Sequence, residues 1–308
     1  MKQARFSRRQ VLSALALSVL SWQAVAADAI RVGSKIDTEG ALLGNIIQQV
    51  LEANGIKTVN RLSLGNTKVV RAAITAGEVD IYPEYTGNGA FFFSDENNPA
   101  WKNAQAGYEL VKKLDQQKNQ ITWLTPSPAN NTWAIAIRKD VASANKLKTL
   151  TDLGNWINHG GRFKLAASAE FIERADALPA FQTAYGFTLR QDQLLTLAGG
   201  DTSVTIKAAA EQTSGVNAAM AYGTDGPVAA LGLVTLDDVK GVQPIYAPTP
   251  IIRSDILAKQ PKIAVLLKPV FLSLTGPVLQ KLNASIAIEG RDARKVAQEY
   301  LKKKGFIK

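Results

Sequence analysis

Asp80-Ile81-Tyr82-Pro83-Glu84-Tyr85-Thr86-Gly87-Asn88-Gly89 is the stretch on which the reading of this chain turns. Val79 to Tyr82 reads as a strand, and Pro83, which has no N–H to give a ladder, is expected to end it. Two tyrosines three positions apart are followed by two glycines, expected to let the backbone turn sharply. A tyrosine has an apolar ring face and a polar tip, and the face attracts cations that cannot donate hydrogen bonds. Taken alone, the two rings serve equally well as core filler at a strand end. The rest of the chain decides between these readings.

Upstream, Ile30-Arg31-Val32 reads as a strand, followed by a helix entered near Thr38. Leu42, Leu43, Ile46, Ile47, Val50 and Leu51 recur at helical spacing, and Gly55 stops the run. Val59 to Leu64 reads as the next strand, and Thr67 caps a second helix that reaches Gly77. Strand, helix, strand, helix, strand is the pattern of an α/β layer with parallel strands. The opening decapeptide then lies at the carboxyl end of the third strand, where open sheets place their ligands.

Downstream, a second α/β unit starts with a strand at Trp133–Ile137. Helix Leu150–Ile157, strand Phe163–Ala166 and helix Glu170–Tyr185, broken near Pro179, follow. Strand Leu194–Leu197, helix Ser203–Gln212 and strand Val216–Tyr222 complete it. A strand near Pro244–Tyr246 and several helices, ending with Ala293–Lys303, come after. Pro126 to Asn131 and Gly223 to Pro227 carry the punctuation of chain crossings. The expected architecture is therefore α/β with two lobes, residues 28–131 plus 225–308 and residues 132–224, joined by a two-crossover hinge. Clefts between such lobes are preferred sites for small ligands.

Residues 1–26 read as a cleaved export signal: Lys2, Arg5, Arg8 and Arg9 without an acid, the apolar run Val11–Trp22, then Ala24-Val25-Ala26. Ser7-Arg8-Arg9-Gln10-Val11-Leu12 also has the look of a twin-arginine signal. Removing these residues lowers the formal charge from +10 to +6, since four basic residues leave and no acidic one does. The remaining Lys and Arg are scattered apart from Lys302-Lys303-Lys304, so no nucleic-acid face is expected. The chain has no cysteine and one histidine, His159 beside Gly160-Gly161 in an expected turn, so thiolate and zinc chemistry are not expected. We expect a periplasmic monomer without cofactor or metal.

Five stretches, in order, resemble one family. They are Val32-Gly33-Ser34-Lys35, Tyr82-Pro83-Glu84-Tyr85-Thr86-Gly87, Asn130-Asn131-Thr132-Trp133-Ala134, Glu170-Phe171-Ile172-Glu173-Arg174-Ala175-Asp176 and Ala221-Tyr222-Gly223-Thr224-Asp225-Gly226. Together they are similar to the osmoprotectant-binding proteins of ABC importers, which take glycine betaine, choline, carnitine or proline betaine. The resemblance implies a type II periplasmic binding fold and docking onto an inner-membrane ABC permease. It maps Tyr85, Trp133 and Tyr222 to the walls of an aromatic cage and Arg174 to the carboxylate-binding arginine. Lys35 assists from the other lobe, and Asn88 stands where the family usually has a threonine.

The chemistry of such a ligand is consistent with those residue types. A trimethylammonium has no N–H, so ring faces rather than hydrogen bonds select it, and a carboxylate suits a guanidinium or an ammonium. Departures from the family pattern, among them Ala177 after Asp176 where glycine is common, point to weak betaine affinity or to a preferred ligand other than glycine betaine. Trp133 replaces a tyrosine, and Ala198 to Ser203 contains no aromatic residue where the family often has a further tyrosine. Two other readings remain at this point: a binding protein for another zwitterion or one that reports to a sensor, and an exported hydrolase using Asp80 with Glu84 or Glu170 with Glu173. Tyr82, and Phe91-Phe92-Phe93 as core or lobe-interface packing, are expected to be structural.

Overall fold

A computed structural model describes residues 29–197 and 199–308; residues 1–26, read above as an export signal, lie outside the described residues. The chain opens with β1 (Ile30–Lys35), α1 (Thr38–Ala53), β2 (Thr58–Gly65), α2 (Thr67–Thr75), β3 (Ile81–Tyr85), α3 (Asn88–Phe93), α4 (Ala104–Asn119) and β4 (Ile121–Trp123). It continues through β5 (Trp133–Arg138), α5 (Lys139–Asn145), α6 (Leu150–Asn158), β6 (Leu165–Ser168), α7 (Ala169–Glu173), α8 (Leu178–Tyr185), β7 (Leu194–Leu197), α9 (Thr202–Ala210), β8 (Ala218–Tyr222), α10 (Pro227–Ala230) and β9 (Leu233–Thr235). It closes with β10 (Pro248–Arg253), α11 (Ser254–Lys259), α12 (Lys262–Ser273), α13 (Gly276–Ala287) and α14 (Ala293–Lys303).

Two sheets form, in the orders β2-β1-β3-β10-β4 and β7-β6-β8-β5-β9. Each has a parallel half, β2-β1-β3 and β7-β6-β8, to which an antiparallel strand is added, β10 and β5 respectively. The apolar stripe of α1, including Leu42, Leu43, Ile46 and Ile47, packs with Phe271 and Leu301 into the core of the first lobe. Ile135, Leu153, Phe171, Phe181 and Met220 form the core of the second. The fold is α/β throughout, as expected, but the order of sheet members shifts several details.

β9 pairs with β5, so Leu233–Thr235 belongs to the second sheet and the chain returns to the first after Thr235, later than residue 225. The short run near Pro244–Tyr246 is irregular, and the returning strand begins at Pro248. Pro179 does not break a helix; it stands in the first turn of α8, where its missing N–H costs nothing. The break comes earlier, where Arg174 leaves α7 in extended geometry.

Pro83 does not end β3. In the antiparallel ladder with β10, Thr86 N–H donates to Ala247 and Arg253 N–H to Asp80, which sets the alternation of bonded pairs. Pro83 opposite Pro250, and Tyr85 opposite Pro248, then fall at non-hydrogen-bonded positions. All three prolines thus lack only N–H groups that would point away from the partner strand. The neighbouring glycines are needed for room. Gly87 has an ordinary negative φ of −63°, and a Cβ on it would come 2.9 Å from the Tyr246 ring. A Cβ on Gly89 would come 2.7 Å from both the Trp101 ring and Val111.

The crossings meet around Glu39, near the start of α1. Its Oε1 accepts from Tyr85 Oη at 3.0 Å and Asn131 Nδ2 at 3.1 Å, and its Oε2 from Asn283 Nδ2 at 2.7 Å. Thr224 on the outgoing side of β8 donates to Asn131 Oδ1, and its carbonyl accepts from Asn283. α13 thus ties the first lobe to the end of β8. Burial pushes the Glu39 carboxyl from an ordinary 4.5 up to about 7, with Asp37 adding to the rise and the hydrogen bonds opposing it. Burial likewise raises Asp225 to about 7.

Two outcomes are expected. Gly89→Ala overpacks the Trp101 contact and lowers unfolding free energy by about 1–3 kcal/mol, read by chemical denaturation; an unchanged midpoint contradicts this. The folded chain holds the Glu39 proton more tightly than the unfolded one does. The corresponding stability is full below pH about 4.5 and is lost as pH rises through 7, by about 3 kcal/mol at most. Thermal unfolding should therefore show the melting temperature falling between pH 5 and 8, and falling less in Glu39→Gln. An equal fall in both proteins contradicts the assignment.

Candidate ligand-binding site

β3 delivers Glu84 to the inner end of the first sheet, where the side chain has no solvent exposure. A buried carboxylate has to be paired and hydrogen-bonded to persist as an ion. Its Oε1 accepts from Lys35 Nζ at 2.7 Å, Asn88 Nδ2 at 2.7 Å and Tyr85 N at 2.8 Å, and its Oε2 from Tyr82 Oη at 2.9 Å. Tyr82 is thus structural, as expected. Lys35, at the end of β1, also sits 4.7 Å from the centroid of the Tyr85 ring, so a protein cation already covers that face.

Asn88 turns its other amide end across the cleft, where Oδ1 accepts from Arg174 Nη1 at 3.0 Å. Arg174, which the resemblance maps to the carboxylate-binding arginine, is held in this structure by partners within the protein. Nε and Nη2 grip Asp176 at 2.9 and 2.6 Å, and Nη1 also reaches Glu170 at 3.0 Å. The cause is local: the chain leaves α7 at Arg174 and brings Asp176 round to the guanidinium plane. The guanidinium also lies 4.6 Å from the Trp133 ring and 4.2 Å from Phe91 of the first lobe. Phe91 is therefore lobe-interface packing.

Lys35, Tyr85, Asn88, Trp133 and Tyr222 line one cavity between the lobes, with Asp37, Glu170 and Gly200; Arg174 does not line it but lies 4.6 Å from the centroid of the Trp133 ring that does. Trp133 and Tyr222 are opposed across the β5–β8 ladder, with centroids 6.4 Å apart and planes at 22°. Phe171 braces Trp133 edge-on at 5.3 Å. Tyr246 completes the group, 6.1 Å from Trp133 at 32°. It lies on the return crossing, and no motif or periodicity pointed to it. The signal that would have found it is Gly87, whose missing side chain leaves space for the Tyr246 ring.

The room left inside is about 30 Å³, enough for a water or two. Asp37 lines the cavity as well, its carboxyl raised by burial despite the opposing pull of Lys35. Ring faces and the carboxyl groups of Asp37 and Glu170 thus share one cavity. Of the four carboxylates proposed for hydrolysis, Asp80 is paired with Arg31 and Arg253, Glu84 with Lys35 and Glu170 with Arg174, while Glu173 is exposed at the end of α7. His159 is exposed at the end of α6, with its Nδ1 against the Asn155 carbonyl, and takes no part.

Comparison with known proteins agrees with this geometry. Residues 28–303 match the family described as the substrate binding domain of an ABC-type glycine betaine transport system. The glycine betaine-binding protein YehZ of Escherichia coli strain K12 is 69% identical over 296 residues, covering 96% of this chain and 97% of that protein. The solved structure of apo YehZ from the same species is 71% identical, covers 91% of this chain and all of that one, and superposes with a TM-score of 0.67. A glycine betaine/carnitine/choline ABC transporter structure, 21% identical, covers 90% of this chain and 99% of its own with a TM-score of 0.70, a likeness of fold. A family match over residues 28–303, with a relative 69% identical over nearly the whole chain, makes the chain a member of the substrate-binding family of ABC-type glycine betaine transport systems.

Proposed function

We propose that this chain captures a quaternary-ammonium osmoprotectant such as glycine betaine in the periplasm, with low affinity, and hands it to an inner-membrane ABC permease. Membership in a substrate-binding family makes it a binding component of a transporter and not an enzyme. The observation that carries the reading is that Tyr85 from one lobe and Trp133, Tyr222 and Tyr246 from the other side and its crossing line a single cavity. Each ring face contributes about 0.5–2 kcal/mol to a methylated cation, and Asp37 and Glu170 favour positive charge there.

Low affinity follows from what the rings and bases already hold. Lys35 occupies a face of Tyr85, and Arg174 stacks on Trp133 and is held by two carboxylates. A guest has to compete with these internal partners and part the lobes, and its apparent affinity falls by the population of the open form. In this reading Asn88 and Lys35 orient the guest, and Arg174 acts through Trp133 and Asn88.

Isothermal titration calorimetry with glycine betaine, choline, carnitine and proline tests this. Glycine betaine should bind with a dissociation constant above about 1 μM, and Trp133→Leu should weaken it about tenfold or more. Sub-micromolar binding contradicts the weak-affinity reading; absence of binding by every quaternary ammonium contradicts the ligand class.

A further inference from the structure

We infer that the hinge side of the cleft is a proton-linked latch: four carboxyl groups, two carried by each lobe, meet as the lobes close, and closure takes up protons that opening releases. The inference concerns the movement of the lobes and stands whatever ligand the cavity takes.

The four groups are fixed in two pairs. Asp37 caps α1 and accepts from Gly40 N at 2.7 Å, while Glu39 accepts from Tyr85 of β3, Asn131 of the first crossing and Asn283 of α13. Both therefore move with the first lobe. Asp201 caps α9, accepting from Ser203 N at 2.9 Å, and Asp225 accepts from Tyr222 N at 2.7 Å and Thr202 Oγ1 at 3.0 Å. These two move with the second. A direct bond joins the pairs across the cleft, from Thr38 Oγ1 to Asp201 Oδ1 at 3.3 Å. Thr224, bonded to both Asn131 and Asn283, marks the pivot between them.

Charge makes this meeting unfavourable without protons. Among the described residues, none of the four carboxyls is in a salt bridge. Lys35 pulls on Asp37, but its ammonium is already held by Glu84. The other titratable side chains facing the group are Tyr85, Tyr222 and, across the cavity, Glu170, and none of them is a cation. The network is also short of donors: Asn283 Oδ1 is buried and has no partner among the described residues. Like charges brought together away from water favour their neutral forms. Burial raises Asp37, Glu39 and Asp225, and another member of the set raises each further: Asp201 raises Asp37, Asp37 raises Glu39, and Glu39 with Asp201 raises Asp225. Such groups titrate as a set and not one by one.

Opening carries Asp201 and Asp225 away from Asp37 and Glu39 and lets water back to them, so the open form binds protons less tightly. With Glu39 and Asp225 each raised to about 7 where the lobes touch, the proton-linked preference for closure is complete below the ordinary carboxyl range and is lost as pH rises through 7. Protons thus act on the hinge as an effector, and whatever shifts the lobes shifts proton binding in return.

Small-angle X-ray scattering of the mature protein without ligand, at pH about 5.5 and about 8.5 and constant ionic strength, reads the lobe separation. The radius of gyration should be about 19 Å at the lower pH, the value of a compact chain of this length, and measurably larger at the higher, with unchanged far-ultraviolet circular dichroism. Asp201→Asn, which still caps α9, and Glu39→Gln each remove a charge from the set and should hold the compact radius at both pH values. A merely structural hydrogen bond between Thr38 and Asp201 predicts the reverse, a larger particle in Asp201→Asn. A parent radius equal at the two pH values or larger at the lower one overturns the latch, and so does expansion of both variants at the higher pH to the parent's extent.

Discussion

Glu84 is a carboxylate buried without any exposure at the end of a central strand, and four donors converge on it. Leaving such a group unpaired is among the most destabilising arrangements a core can contain. The first lobe therefore has to bring Lys35, Tyr82 and Asn88 to one point, and this fixes the end of β1, the end of β3 and the start of α3 together. Tyr85 is held between the same carboxylate and Glu39, so one wall of the cleft is positioned by two buried acids. Asn88 then carries the network across the cleft to Arg174.

Internal neutralisation gives the site its character. Lys35 and Arg174, the two cations nearest the rings, each have carboxylate partners and each already rest on an aromatic face. The rings of the cleft are thus partly covered by the protein's own charges.

Much of the architecture was legible because it is locally encoded. The period-3.6 stripe of α1, the βαβαβ order of the first lobe and the placement of Tyr85 at a strand end all follow from neighbouring residues. What escaped depended on distant partners. Whether Pro83 ends its strand depends on β10, more than 160 residues away, whose register puts Pro250 opposite it. β9 is three residues long and takes its place in the second sheet only through β5. The spacing of Glu170, Arg174 and Asp176 was visible, but the exit from α7 at Arg174, which turns the guanidinium onto Asp176, was not. Tyr246 sits in an irregular crossing without periodicity, so only the three-dimensional approach of Gly87 reveals it.

The claim beneath all of this is that rings from both lobes surround one methylated cation. A crystal structure of the protein grown with saturating glycine betaine examines it directly. The trimethylammonium nitrogen should lie within about 6 Å of the ring centroids of Tyr85, Trp133 and Tyr222. Density for the ligand elsewhere, with those rings contacting only protein atoms, would contradict it.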